Sequence, residues 1–143
     1  MKAGIVFNLS DDERENLANK AGFTLEGSDD YYKYLNKLIQ LSQKKNKNIC
    51  YEALVSERMY RHFKSGYIPP KTSILAIAIA LELKPEEIYI LLKKMGYVLS
   101  ESIGFDMVVK YLLENPHSPK NVLYINEILY ELHLPLLMTR EKF

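Results

Sequence analysis

The stretch SERMYRHFK, residues 56–64, alternates two kinds of side chain. On a helix, Met59 and Phe63 lie one turn apart and point inward beside Tyr60. Glu57, Arg58, Arg61, His62 and Lys64 are left to point outward. Their chemistry is recognition of a polyanion and of base edges. A guanidinium at Arg58 matches guanine O6 and N7 as a bidentate fork, and a carboxylate at Glu57 accepts from cytosine N4. His62, one turn after Arg58, donates to a base or a phosphate. Lys64, Lys71 and the lysines ahead of the first helix, Lys45 and Lys47, would neutralise phosphates.

The same residues offer little to catalysis. His62, His117 and His133 are scattered, without HExxH, Cys/His ligand spacing or a glycine-rich phosphate loop. Asp11-Asp12 and Asp29-Asp30 stand where helix N-termini attract acids, so capping accounts for them. The eleven tyrosines fall mostly on helical stripes, as packing residues do. The chain reads as a non-enzyme without metal or cofactor.

Elements that would position the basic stretch are legible around it. ICYEALV forms a short helix, and SERMYRHFK a second one with Ser56 as N-cap. Gly66 supplies a positive φ and Pro69-Pro70 stiffen the loop that follows. TSILAIAIALEL, starting at Thr72, is apolar on most of its circumference, which predicts a central, buried helix. KPEEIYILLKKMGY has Pro85 at the first helical position, acids in the first turn, lysines in the last and Gly96 as its stop. GFDMVVKYLLEN and LYINEILYELH are two further helices. Upstream, DDYYKYLNKLIQLSQKK places Tyr31, Tyr34, Leu35, Leu38 and Leu41 on one stripe, and LSDDERENLANKAGF has Ser10 as N-cap and Gly22 as stop. GIVF, residues 4–7, is the only strand candidate.

An internal echo runs through this pattern. Residues 9–40 align without gaps on residues 83–114, matching Leu9, Glu13, Leu17, Lys20, Gly22, Leu25, Ser28 and Leu38 with Leu83, Glu87, Leu91, Lys94, Gly96, Leu99, Ser102 and Leu112. Past the block, ICYEALV falls opposite LYINEIL. A structural repeat is expected, with residues 9–28 helical.

Bulk properties bound the answer. The chain has 143 residues, 48% hydrophobic and 26% charged, enough for one core with an appendage. Net charge is only +1, but residues 41–71 carry +5 and the flanks −2 each. A local polyanion-binding face and a solvated lysine-rich loop at QKKNKN both fit that concentration. Cys50 is the single cysteine, so no internal disulfide can form and a cysteine-rich zinc module is excluded. Residues 3–7 are too few for a signal-peptide core and no run is long enough to cross a bilayer, so a cytoplasmic protein is expected.

RHFKSGYIPPKTSILAIAIALEL, residues 61–83, resembles the recognition-helix end, G-x-x-x-P loop and following helix of Cro/lambda-repressor-type (XRE-like) helix-turn-helix proteins. Residues 31–137 are similar to bacterial XRE-like regulators with a helical C-terminal extension, in which the LLKKMGY ending and the INEILYEL…PLL tail follow in the same order. The resemblance implies an all-α, lambda-repressor-like helix-turn-helix domain with extra helices at both ends. It makes Ser56 the recognition-helix cap and Glu57, Arg58 and His62 the base-facing positions. Lys64 and the loop from Tyr67 to Lys71 face phosphate. The chain departs from the pattern in the turn LVSE, which lacks the usual glycine and reads about one residue short, and in Cys50, Tyr51 and Leu54 on the preceding helix.

Residues 1–30 are thus expected to be an N-terminal helical segment echoing 83–104. Residues 31–96 would be the helix-turn-helix core, and 97–143 a C-terminal extension packed on it and offering a dimer surface. The implied function is sequence-specific binding of double-stranded DNA as a bacterial or phage transcriptional regulator, with a homodimer suited to a palindromic site. The alternative is a helical protein–protein interaction module on the same scaffold. The two differ in whether Arg58, Arg61 and Lys64 stand in solvent or are paired with Glu52, Glu57 or the acidic N-terminal helix.

Overall fold

The structure is a computed structural model that describes residues 10–20 and 30–137. Among these residues it is all-helical, without strands. The strand candidate at residues 4–7 and the stop at Gly22 lie outside the described residues. The chain divides into two compact units, Met1–Asp30 and Tyr31–Phe143.

In the first unit, α1 spans Asp11–Lys20. Its start is closed reciprocally: Glu13 N donates to Ser10 Oγ at 3.1 Å and Ser10 N donates to Glu13 Oε1 at 2.9 Å. With three acids in the first turn, this end is satisfied both by hydrogen bonds and by its dipole.

The second unit contains α2 (Asp30–Ser42, whose first residue belongs to the first unit), α3 (Asn46–Ala53), α4 (Glu57–Lys64), α5 (Lys71–Ala80), α6 (Pro85–Lys94), α7 (Gly104–Glu114) and α8 (Val122–Glu131). α5 is its axis. Every residue from Ser73 to Leu81 is buried, and α3, α6 and α8 all pack against α5. A helix apolar on all sides can only be stable when surrounded, and each fully buried Ile or Leu contributes about 1.5–3 kcal/mol. The other helices contribute single stripes, such as Phe105, Val109, Leu112 and Leu113 of α7. In α2 the stripe differs from expectation: Ile39 is buried, whereas Leu41 is 67% exposed because it lies at the stripe's edge in the last turn. The tail turns back on the core. Asn126 grips it with both ends of its amide, donating to Leu137 O at 3.0 Å and accepting from Leu137 N at 2.6 Å, and Leu137 is fully buried.

The repeat extends to element boundaries. α1 and α6 occupy aligned positions along their whole length, and α2 and α7 start at aligned residues. α6 also repeats half of the α1 cap, with Lys84 N donating to Glu87 Oε1 at 3.0 Å.

Five helix ends, those of α3, α4, α5, α6 and α8, follow one pattern. After α4, Tyr67 N donates to His62 O and Gly66 N to Phe63 O; after α6, Tyr97 N donates to Leu92 O and Gly96 N to Lys93 O. These are Schellman closures with glycine at positive φ, 112° and 84°. The same pair of bonds closes α3, α5 and α8, but there the left-handed residues are Leu54, Glu82 and His133, with φ of 61°, 61° and 60°.

Candidate nucleic-acid interface

α3 and α4 are joined by the three residues Leu54, Val55 and Ser56, so the turn is not a residue short. Leu54 adopts the left-handed conformation for which glycine is the usual choice, while Ala53 and Val55 beside it are buried. Core packing around the turn compensates a backbone cost of about 1–2 kcal/mol.

α4 is strongly two-faced. Ser56 Oγ accepts from Met59 N at 3.1 Å, capping the helix as its residue type predicts. Tyr60 and Phe63 are buried and Met59 is half-buried, anchoring the inner face. Tyr60 Oη donates to Asn46 Oδ1 at 2.9 Å, tying α4 to the start of α3. Burial, and then the neighbouring Cys50, push the Tyr60 hydroxyl far above the ordinary tyrosine range, so it stays a neutral donor. Burial also raises the Cys50 thiol; Glu57 adds to the rise, with Lys64 and Arg61 opposing it.

The outer face carries Glu57, Arg58, Arg61 and His62, all exposed. Among the described residues, neither arginine is in an ion pair. Glu52, one candidate partner, is taken by Lys44 at 2.7 Å. Lys64 is half-buried, its ammonium 5.0 Å from the centroid of the Tyr60 ring, a cation–π contact that holds the charge against the helix. His62 and Tyr67 meet edge to face with centroids 5.7 Å apart, so the helix and the loop after Gly66 present one joint surface. Tyr67 is 59% exposed.

The remaining lysines divide. Lys47 lies in the first turn of α3 rather than before the helix, and lines a groove of about 460 Å³ together with Ser56 and Glu57. Lys45 is the exposed residue preceding α3. That first turn has no acid and no side-chain cap, which leaves its N–H groups and both lysines to an anion. Lys71 is engaged elsewhere. Its ammonium donates to Asp106 Oδ2 at 2.8 Å and to Val98 O at 3.0 Å, and Asp106 is 1% exposed. The expected phosphate role for Lys71 therefore conflicts with its placement. Lys44, part of the same basic window, is also committed: it pairs with Glu52 and Glu82 and donates to Ala80 O. Burial lowers its pKa, but the bonds and charges of Glu52 and Glu82 outweigh that and hold it above the usual lysine value.

Asp106 is the residue that pattern reading passes over. Besides Lys71 it accepts from Ser100 N at 2.9 Å, and its Oδ1 has no partner. The available signal was an acid inside the apolar stripe of α7, which demands a cation. Among the described residues, no three His, Cys, Asp or Glu side chains are grouped to hold a metal ion, and no helix is long and apolar enough to cross a membrane.

No protein-family model matches this chain, no curated protein matches its sequence and no solved structure matches its fold.

Proposed function

We propose that this chain is a sequence-specific double-stranded-DNA-binding regulator of bacterial or phage type, in which α3 and α4 form a lambda-repressor-like helix-turn-helix and α4 reads the major groove. The observation that carries the reading is the contrast across α4: an inner face locked by Tyr60 and Phe63, and an outer face of Glu57, Arg58, Arg61 and His62 exposed with both arginines free of ion pairs among the described residues. Side chains of these types, held on a rigid, N-capped helix, are what direct base readout requires. Lys45, Lys47 and Lys64 supply phosphate contacts, and Tyr67 joins His62 at the helix end. The role is binding, with no catalytic step.

The test is selection of purified protein on a random duplex library at two salt concentrations. Enrichment of one short motif at both supports the reading, and a palindrome adds a homodimer. Weak binding without enrichment that vanishes at the higher salt refutes it.

One observation favours protein contact as a second reading. Ile103, the residue that precedes α7, and Met107 and Tyr111 on it recur every fourth residue and are each half exposed or more. Such a stripe suits a second copy or another protein. Sedimentation equilibrium of the wild type and of Met107→Lys separates the two: self-association abolished by the lysine identifies a dimer face, and a monomer in both leaves the stripe to a different protein.

A further inference from the structure

A groove of about 570 Å³ lies between α6, α7 and the segment joining them. Leu92, Val98 and Leu99 give it an apolar lining, Tyr89 adds a ring, and Lys93 and Lys110 add two cations. The size is that of a small-molecule site. Lys93 is exposed and in no ion pair among the described residues. Lys110 reaches Glu101 only at 3.5 Å and Glu114 at 3.6 Å, both long for charge-assisted contacts. Glu114 is itself committed to the Tyr89 hydroxyl at 2.5 Å. Glu101 and Glu114 partly offset Lys110, so the unpaired ammonium of Lys93 is the main attraction for an anionic head group and the main repulsion of a cation.

We propose that this groove binds a small amphipathic anion, an apolar body carrying one carboxylate, and that its occupancy is transmitted to the loop after α4. The transmission has a physical route. Tyr97 Oη donates to Pro69 O at 2.7 Å, and Lys71 Nζ donates to Val98 O at 3.0 Å. Asp106 Oδ2 binds Lys71 from one side and Ser100 N from the other. Residues 97–100, of which Tyr97, Val98 and Leu99 line the groove, are thereby tied to residues 69–71. Tyr67, which packs on His62, is two residues upstream of Pro69. A ligand that resets residues 96–99 resets the surface that α4 and its loop present, and coupling of this kind is reciprocal. The site does not depend on what α4 meets; only the consequence for DNA affinity rests on the function proposed above.

The experiment is an amide NMR titration of the full chain with octanoate, and with octyltrimethylammonium as the same chain of opposite charge. Octanoate is expected to give saturable shifts at Gly96, Val98 and Leu99 and, across the tethers, at Tyr67 and Lys71. Val98→Glu and Lys93→Glu should each weaken it about tenfold. Both positions are exposed, and each variant's own spectrum reports its fold. Equal shifts from the cation, octanoate shifts confined to the α7 stripe, or unchanged affinity in both variants would overturn the site. Binding with Tyr67 and Lys71 unmoved would overturn the transmission. No DNA is present, so neither result is confused with failure of base reading.

Discussion

Replacing Lys71 and Arg61, separately, by methionine distinguishes two kinds of basic residue that charge pattern alone treats as equal. Five cations of the basic window, Lys45, Lys47, Arg58, Arg61 and Lys64, are in no ion pair among the described residues. Arg58 is given to base reading; with about 0.9 counterions released per neutralised phosphate, the other four give a slope of log affinity on log salt of about −3.6 per protomer, or about a 150-fold loss from about 50 to 200 mM. Arg61→Met should flatten the slope to about −2.7 with little change in stability. Lys71→Met should leave the slope unchanged, because that ammonium is already spent on Asp106 and Val98. It should instead destabilise the fold. Breaking a buried pair by removing one partner costs about 3–5 kcal/mol, and the 25% exposure of Lys71 places it near the lower end, about 3 kcal/mol. Anisotropy titrations of a labelled duplex at several salt concentrations give the slopes, and urea midpoints give the stabilities. A Lys71→Met protein with a slope flatter by about one and an unchanged midpoint would refute the reasoning, and would return Lys71 to the DNA-facing set.

Arg58→Ala should weaken specific binding by about 1–3 kcal/mol and relax preference at one base pair; selection on a randomised site that returns the wild-type motif at wild-type affinity removes Arg58 from base reading. Glu82→Gly should stabilise the protein by about 1 kcal/mol, since it relieves a left-handed residue and gives up only the 3.4 Å contact of a 74%-exposed carboxylate; a lower urea midpoint contradicts this. Above pH 10 stability should fall. Burial, and then the neighbouring Tyr32, push the Tyr31 hydroxyl up to about 12 from 10, so its contribution is complete below pH 10 and is lost as pH rises toward 12. Tyr31 contributes at most about 1.4 kcal/mol per pH unit of that decline, beside the shares of the buried Tyr60 and of Tyr89, and Tyr31→Phe should remove its share. Cys50, buried and with its thiol raised, should react with a thiol reagent only at the rate of local opening and immediately in denaturant; rapid labelling of the native protein would place α3 wrongly.

What was legible in the sequence was local. The Ser56 cap, Pro85 at a helix start, the Gly66 and Gly96 stops and the burial of α5 all follow from side-chain chemistry within a few residues. The repeat was legible too, because it concerns type and spacing. The outer face of α4 could be assigned as soon as Met59, Tyr60 and Phe63 were turned inward. What escaped was set by distant parts of the chain. Lys71 is distinguished from Arg61 by Asp106 and the carbonyl of Val98, thirty-five and twenty-seven positions away. Lys44 leaves the basic window because Glu52 and Glu82 converge on it, and Leu41 leaves the α2 stripe because Ile39 lies closer to the stripe's centre. The closures at Leu54, Glu82 and His133 carry no glycine to announce them.

Those three closures bear on what fragments of this protein can do. A helix that ends on glycine stops wherever it is synthesised. One that ends on leucine, glutamate or histidine in the left-handed region stops only while its surroundings insist. Excised as a peptide, residues 46–64 retain the Ser56 cap but lose the α5 packing that α3 needs to hold Leu54 in place. The bend between α3 and α4 is therefore a property of the assembled domain, and circular dichroism of that peptide should show no stable helix pair. Unfolding should then be all-or-none across residues 31–137, because loosening α5 releases the endings of its neighbours together.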